Sequence, residues 1–438
     1  MAEKFRDSQW DKHGILEEIL SYVKIPPMVR AAQQFENEYI TDIPAAIAKE
    51  FAKSETRETI RPGMTIAVSA GSRGISDIAI ILKETIDQLK KLGARPFIFP
   101  AMGSHGGATA EGQLKILEDY GITEKSMGVP IRASMETAII GQDRNNNDVH
   151  VDLHAHKADG IVILNRIKPH TAFRNKYESG LLKMLAIGLG KQKGAESCHY
   201  DGWGKMAEKI ESYADVILKK ENILFGIALA ENAFDKICHI EAVQPNQFKE
   251  REAALLEMAK ALMPRIYISE FDILVVGQIG KNFSGDGADP NITATYATPY
   301  ASGGPVFQKY VILDISDESH GNAVGIGMAD FSTKRLFDKI DFDATYPNTI
   351  TSLVPAISDI PMIMKNDKMA IQAAIHCCPG INKQKPRIVM IKNSSHIGEI
   401  LISEALAEEA GKQAQMRLLG KPEELLFDAE GNINILSL

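Results

Sequence analysis

Between residues 65 and 120 the chain twice repeats strand, glycine-containing turn and helix, and that alternation leaves few folds open to it. Thr65–Ala70 reads as a buried strand, Gly71-Ser72-Arg73-Gly74 as a turn, and Ile75–Leu92 as an amphipathic helix. Pro96–Pro100 is the next strand; it runs into Gly103-Ser104-His105-Gly106-Gly107, and a helix follows over Ala110–Tyr120. Strands that alternate with helices of this length predict a parallel sheet covered by helices.

The pattern continues downstream. Gly160–Asn165 and Ile223–Leu229 read as strands and Gln247–Leu262 as a helix before Pro264. Phe271–Val276, Val311–Asp314 and Arg387–Ile391 read as further strands, and Ile397–Glu409 as a helix. Residues 1–60 read as a polar lead-in followed by a helix from Pro44 to about Lys53. A chain of 438 residues exceeds a single simple core. The prediction is α/β with two domains, 1–264 and 265–438, each with a mainly parallel sheet flanked by helices and with the site in the cleft between them.

Composition removes several classes of function. The net charge of −8 gives no electrostatic footprint for nucleic acid, and Lys191 and Lys193 around Gln192 read as a solvated turn. The four cysteines form no C-x-x-C pair, which argues against iron–sulfur or cysteine-type zinc sites and fits a reducing cytoplasm. The N-terminal residues lack the apolar core of a signal peptide, and no apolar run is long enough to span a membrane.

In open α/β sheets ligands sit beyond the C-terminal ends of the strands. The turns carrying Ser72 and Arg73, His105 and His170 all follow strands, so they are the candidate site. The Arg73 turn precedes a helix, where free N–H groups and an arginine favour an anion; the alternative is a tight turn with a solvated arginine. His105 and His170 are candidate proton carriers, or structural histidines in turns. Lys183, in a largely apolar stretch, is a candidate amine nucleophile or a lysine reaching out from a helix end. His199, beside Cys198, is a candidate metal ligand, as is Cys198; the alternative is a satisfied core pair. His154 and His156 would share a face if they lie on a strand, and they read as structural. The glycine-rich loops Gly277–Asn291 and Gly321–Asp330 read as binding loops or ordinary surface loops.

At Gly103-Ser104-His105-Gly106, Arg166-Ile167-Lys168-Pro169-His170, Lys183 and His199 the chain resembles the nickel-pincer-nucleotide-dependent lactate racemase family and its divergent racemase and epimerase homologues. The resemblance implies a covalently bound cofactor, pyridinium-3,5-bisthiocarboxylic acid mononucleotide nickel. It implies Lys183 as the attachment point, with Ser72 also at the cofactor, His199 as the nickel ligand and His105 and His170 as acid/base residues. Arg73, Gln278 and Lys281 would hold the substrate. The implied reaction is inversion of C2 in a 2-hydroxy acid by proton-coupled hydride transfer, and the implied partners are cofactor maturation proteins. Ala70-Gly71-Ser72-Arg73 lacks the family's acidic residue, which widens the expected substrate from lactate to larger 2-hydroxy acids or sugar acids. Two other classes remain open: a zinc-dependent hydrolase using His105, His170 and His199, and a non-catalytic metallocofactor-binding protein.

Overall fold

The computed structural model describes residues 13–72 and 74–435. Arg73 therefore lies outside the described residues, as do the first twelve residues, on which the signal-peptide reading rests. Fifteen strands are present among the described residues. They are β1 (Met28–Gln33), β2 (Thr65–Ala70), β3 (Arg95–Pro100), β4 (Thr137–Gln142), β5 (Asp148–Asp152), β6 (Gly160–Arg166), β7 (Ile223–Glu231) and β8 (Ile237–Val243). They continue with β9 (Ile273–Ile279), β10 (Lys309–Ile315), β11 (Phe331–Thr333), β12 (Met362–Met364), β13 (Ile388–Ile391), β14 (Glu399–Ser403) and β15 (Met416–Leu418).

The chain forms two compact units, one of Glu36–Met263 and one of Pro264–Leu438 with Met1–Phe35. Sequence patterning marks the break near Pro264; it carries no mark of a second break after Phe35. In the first unit the sheet order is β3-β2-β6-β7-β8. The first four strands are parallel and β8 is antiparallel to β7. Alternation along the strands fills both faces. Ala67, Phe97, Phe99, Ile161 and Ile163 enter one core with the helices Met206–Lys220 and Phe248–Leu262. Ile66, Val68, Ile98, Val162 and Leu164 enter the other with the helices Ile43–Ala52 and Ile78–Lys91. A strand buried on both faces reads as a continuous apolar run, which is why Thr65–Ala70 is so legible.

The second unit holds an eight-stranded mixed sheet, β12-β11-β10-β9-β13-β14-β1-β15. Its first five strands are parallel, and β14, β1 and β15 add antiparallel pairings. The expected helix over Ile397–Glu409 is corrected here. Glu399–Ser403 is a strand between β13 and β1, and only Ala407–Lys412 is α-helical. The run Ile400-Leu401-Ile402 fits both templates, and antiparallel partners on either side decide for the strand. β1 lies within residues read as a lead-in, so this N-terminal strand is likewise a finding of the structure.

Candidate functional site

Because β3, β2 and β6 are neighbours and parallel, the segments leaving them emerge at one end of the sheet. These are the Ser72, His105 and His170 segments. The Ser72 carbonyl accepts from the Tyr120 hydroxyl at 3.1 Å, and the Ser76 N–H donates to Glu231 at 2.7 Å. Glu231 in turn pairs with Arg166 at the end of β6. The turn that contains Arg73 is thus tied at both sides to described residues.

His105 sits in a tightly wound backbone. Gly103, Gly106, Gly107 and Ala108 all have left-handed φ, between 54° and 67°. The loop closes hard on the helix behind it, since a Cβ on Gly112 would lie 1.9 Å from the Gly106 carbonyl oxygen. His105 Nδ1 lies 2.8 Å from the Met102 carbonyl oxygen. A carbonyl only accepts, so the hydrogen-bond network puts the ring proton on Nδ1 and leaves Nε2 as the basic nitrogen.

His170 has the opposite arrangement. The Ala172 N–H donates to its Nδ1 at 3.0 Å, which assigns the ring proton to Nε2. Nε2 is 2.6 Å from Lys183 Nζ. The two side chains are therefore in direct hydrogen-bond contact. The loop itself is closed by reciprocal backbone bonds between Lys168 and Ser179. Inside it the buried Glu178 accepts from the His170 N–H at 2.7 Å and pairs with Arg174 and Lys260. His170 stacks on Phe173, with centroids 4.4 Å apart, and Trp203 lies against both His170 and His199 at 5.4 and 5.3 Å.

Lys183 ends a short helix, Leu181–Lys183, which runs into a π-helical turn, Met184–Gly188, and then the helix Lys191–His199. π-turns of this kind recur at functional sites. The start of the Lys183 helix has no side-chain cap of its own. Glu252, from the distant helix Phe248–Leu262, accepts from the Leu182 N–H at 2.9 Å instead. Burial pushes the Glu252 carboxyl up to about 7, against the opposing pull of the Leu182 and Leu181 N–H groups. His199 Nδ1 lies 2.6 Å from the Ala195 carbonyl oxygen, which orients Nε2 outward from its helix as a lone-pair donor. Burial holds His199 below its ordinary value and so favours that neutral form. Cys198 differs: burial pushes its thiol up to about 12, so it is no ready thiolate ligand.

Two sequence expectations are corrected. His154 and His156 lie in a helical turn, Leu153–His156, where positions two apart face different ways, and His156 pairs with Glu221 at 2.8 Å. Lys191 is not in a solvated turn; it is fully buried, 3.0 Å from Asp152. Gln278 is the penultimate residue of β9, and Lys281 follows in the next loop, with its N–H on Ser319 Oγ at 3.1 Å and its Nζ on the Gly285 carbonyl at 2.5 Å; both belong to the other unit. Glu178, Gln113, Lys191, Trp203 and Glu252 support the site without any short motif to announce them. Among the described residues no three His, Cys, Asp or Glu side chains are grouped to hold a metal ion. No helix among them is long and apolar enough to cross a membrane.

Comparison with known proteins adds two likenesses. The lactate racemase N-terminal domain matches residues 19–206, which takes in the Ser72, His105, His170, Lys183 and His199 segments. The match covers somewhat less than half of the chain. The fold resembles the lactate racemase apoprotein from Thermoanaerobacterium thermosaccharolyticum, with a TM-score of 0.51 at 16% identity, over 83% of this chain and 94% of that one. No curated protein matches the chain.

Proposed function

We propose that the protein racemises or epimerises C2 of a 2-hydroxy acid, lactate-like or a sugar acid, with a nickel-pincer nucleotide attached to Lys183 and ligated by His199. The observation that carries this reading is the placement of two histidines on segments that leave parallel strands at one end of one sheet. His105 is held through Nδ1 by the Met102 carbonyl oxygen, and His170 lies with Nε2 2.6 Å from Lys183 Nζ. A C2–H is weakly acidic, so direct proton abstraction is hard, whereas the hydroxyl proton is accessible to a histidine. The hydroxyls of the two stereoisomers point to opposite sides, so inversion needs one base in each direction. In one direction neutral His105 takes the hydroxyl proton and His170, charged as the imidazolium, gives one to the new hydroxyl and ends neutral; the reverse exchanges the roles. Such proton transfer contributes roughly 10²–10⁴-fold. Arg73, Gln278 and Lys281 are the candidates for holding the carboxylate.

The donor set suits the cofactor. Lys183 lies within 2.6 Å of His170 Nε2, a ring nitrogen able to take a proton from the amine as it attacks an acyl carbon. His199 offers one imidazole nitrogen, fixed by a backbone carbonyl as metal-bound histidines are. A pincer that brings its own sulfur donors needs only that one protein ligand. Bound there, the group would supply a reversible acceptor for the hydride on C2. A zinc hydrolase would require three protein ligands, and nothing in the described residues favours that reading.

The test is intact mass and metal analysis of the protein co-expressed with cofactor maturation proteins, which the proposal takes as its partners. Nickel with an adduct on Lys183, lost in Lys183→Ala, is the expected result, followed by turnover in a screen of 2-hydroxy acids. An unmodified, nickel-free chain, under conditions that load a known lactate racemase, would overturn the mechanism.

A further inference from the structure

Lys191 is the first residue of the helix that ends at His199. Its side chain is fully enclosed, and its backbone is left-handed, with φ at 53°. Nζ donates to the Pro100 carbonyl at the end of β3 at 2.5 Å and to Gln113 Oε1 at 3.1 Å, and it pairs with Asp152 at 3.0 Å. Gln113 is also fully buried, and its Nε2 donates to the Gly103 carbonyl at 3.0 Å and to the His105 carbonyl at 3.3 Å. Gly103 backs onto this helix and the π-helical turn before it, where a Cβ would lie 3.5 Å from Ala195 and 3.2 Å from Ile187. Ala195 is the residue whose carbonyl fixes His199.

We infer that Lys191 and Gln113 are positioning residues, a clamp that fixes the His105 loop to the helix carrying His199. The inference rests on the roles proposed above for those two histidines. A buried ammonium in a left-handed backbone is an expensive way to fill space, and strain of this kind persists where surrounding structure over-determines it. An apolar side chain would pack there but could not reach three oxygens. Gln113 is oriented by its neighbours, with its oxygen towards the lysine and its nitrogen towards two loop carbonyls. The amide therefore transmits the position of one segment to the other. Without it the left-handed turn after His105 would lose the donors that hold its carbonyls, and Nδ1 would be free to leave Met102.

Gln113→Glu separates the two halves of the clamp. It keeps an oxygen facing Lys191 and removes the two N–H donors to the loop. The experiment uses the unloaded full chain with ¹⁵N-labelled histidine, so it does not depend on the cofactor. Long-range ¹H–¹⁵N spectra read the His105 tautomer, and hydrogen exchange reads the amides of residues 103–109. The expected result is a shift of His105 from Nδ1–H towards Nε2–H and at least tenfold faster exchange in that segment, with the His170 signals unchanged. Gln113→Asn, one methylene shorter, should give the same shift if the glutamate variant does not fold. A folded variant with wild-type tautomer and wild-type loop exchange would overturn the clamp, even if its Tm had fallen. Failure of the nickel and adduct test would instead remove the racemase reading and leave the clamp measurement standing.

Discussion

Glu252→Gln isolates one buried charge behind the proposed cofactor lysine. The Glu252 carboxyl is pushed up by burial from an ordinary 4.5 to about 7. An acid whose folded pKa is raised binds its proton more tightly in the folded state. Stability is therefore fullest below the unfolded value, falls as pH rises through the interval, and levels off above the folded value. Each unit is worth about 1.36 kcal/mol, so the cost above pH 7 approaches roughly 3 kcal/mol. Most of that develops between pH 5 and pH 8. Glutamine keeps an acceptor for the Leu182 N–H and does not titrate. The variant should thus gain on the wild type by about 2–3 kcal/mol across that range, or about 2–4 °C of Tm per kcal/mol for a unit of this size. The assay is urea unfolding from pH 5 to pH 8, followed by Trp203 fluorescence in a Trp10→Phe background, which leaves a single tryptophan in the chain. Other titrating groups act in both proteins and cancel in the difference. Parallel pH curves for the two proteins would refute the assignment of this titration to Glu252.

Three further outcomes follow from the geometry. Cys198, buried with its thiol pushed up to about 12, should resist iodoacetamide in the native protein at pH 8 while the exposed Cys377 reacts, and mass spectrometry of the labelled peptides checks this. Gly112→Ala should cost roughly 1–3 kcal/mol despite alanine's better helix propensity, because its Cβ would meet the Gly106 carbonyl at 1.9 Å; thermal unfolding that shows stabilisation would contradict it. His156→Ala should change stability by about 1 kcal/mol and leave the nickel content of loaded protein unchanged, since the His156 ring is half exposed and paired with Glu221; a loss of nickel would make it a ligand after all.

What the sequence makes legible follows from local rules. Thr65–Ala70 is found to the residue because it is mostly apolar and is followed at once by Gly71. The His105 and His170 turns are legible because strand ends and glycine or proline mark them. Ile397–Glu409 fails because three adjacent aliphatic residues suit a helix or a strand, and the choice is made by β13 and β1, far away in the chain. Lys191 fails for a related reason. Its surroundings in sequence, Gly190-Lys191-Gln192-Lys193-Gly194, are those of a surface turn. The groups that bury it, Pro100, Gln113 and Asp152, come from three other segments. Glu252 likewise caps a helix seventy residues before it, a distance at which no capping motif operates.

The place of β1 bears on how the protein is made. Val29 pairs with Ile402 on one side, and Ala32 pairs with Arg417 on the other. On a ribosome adding about 5–20 residues per second, this strand waits on the order of 20–75 s for its neighbours. Meanwhile Glu36–Met263 has all the strands of its own sheet and can close first. Until β14 and β15 arrive, β1 is an unpaired strand with both edges open, the kind of segment that pairs with the wrong chain. Its arrival in the sheet is therefore a late, long-range step. A synthesis fault anywhere downstream leaves the second unit without its seventh strand, whatever the state of the first.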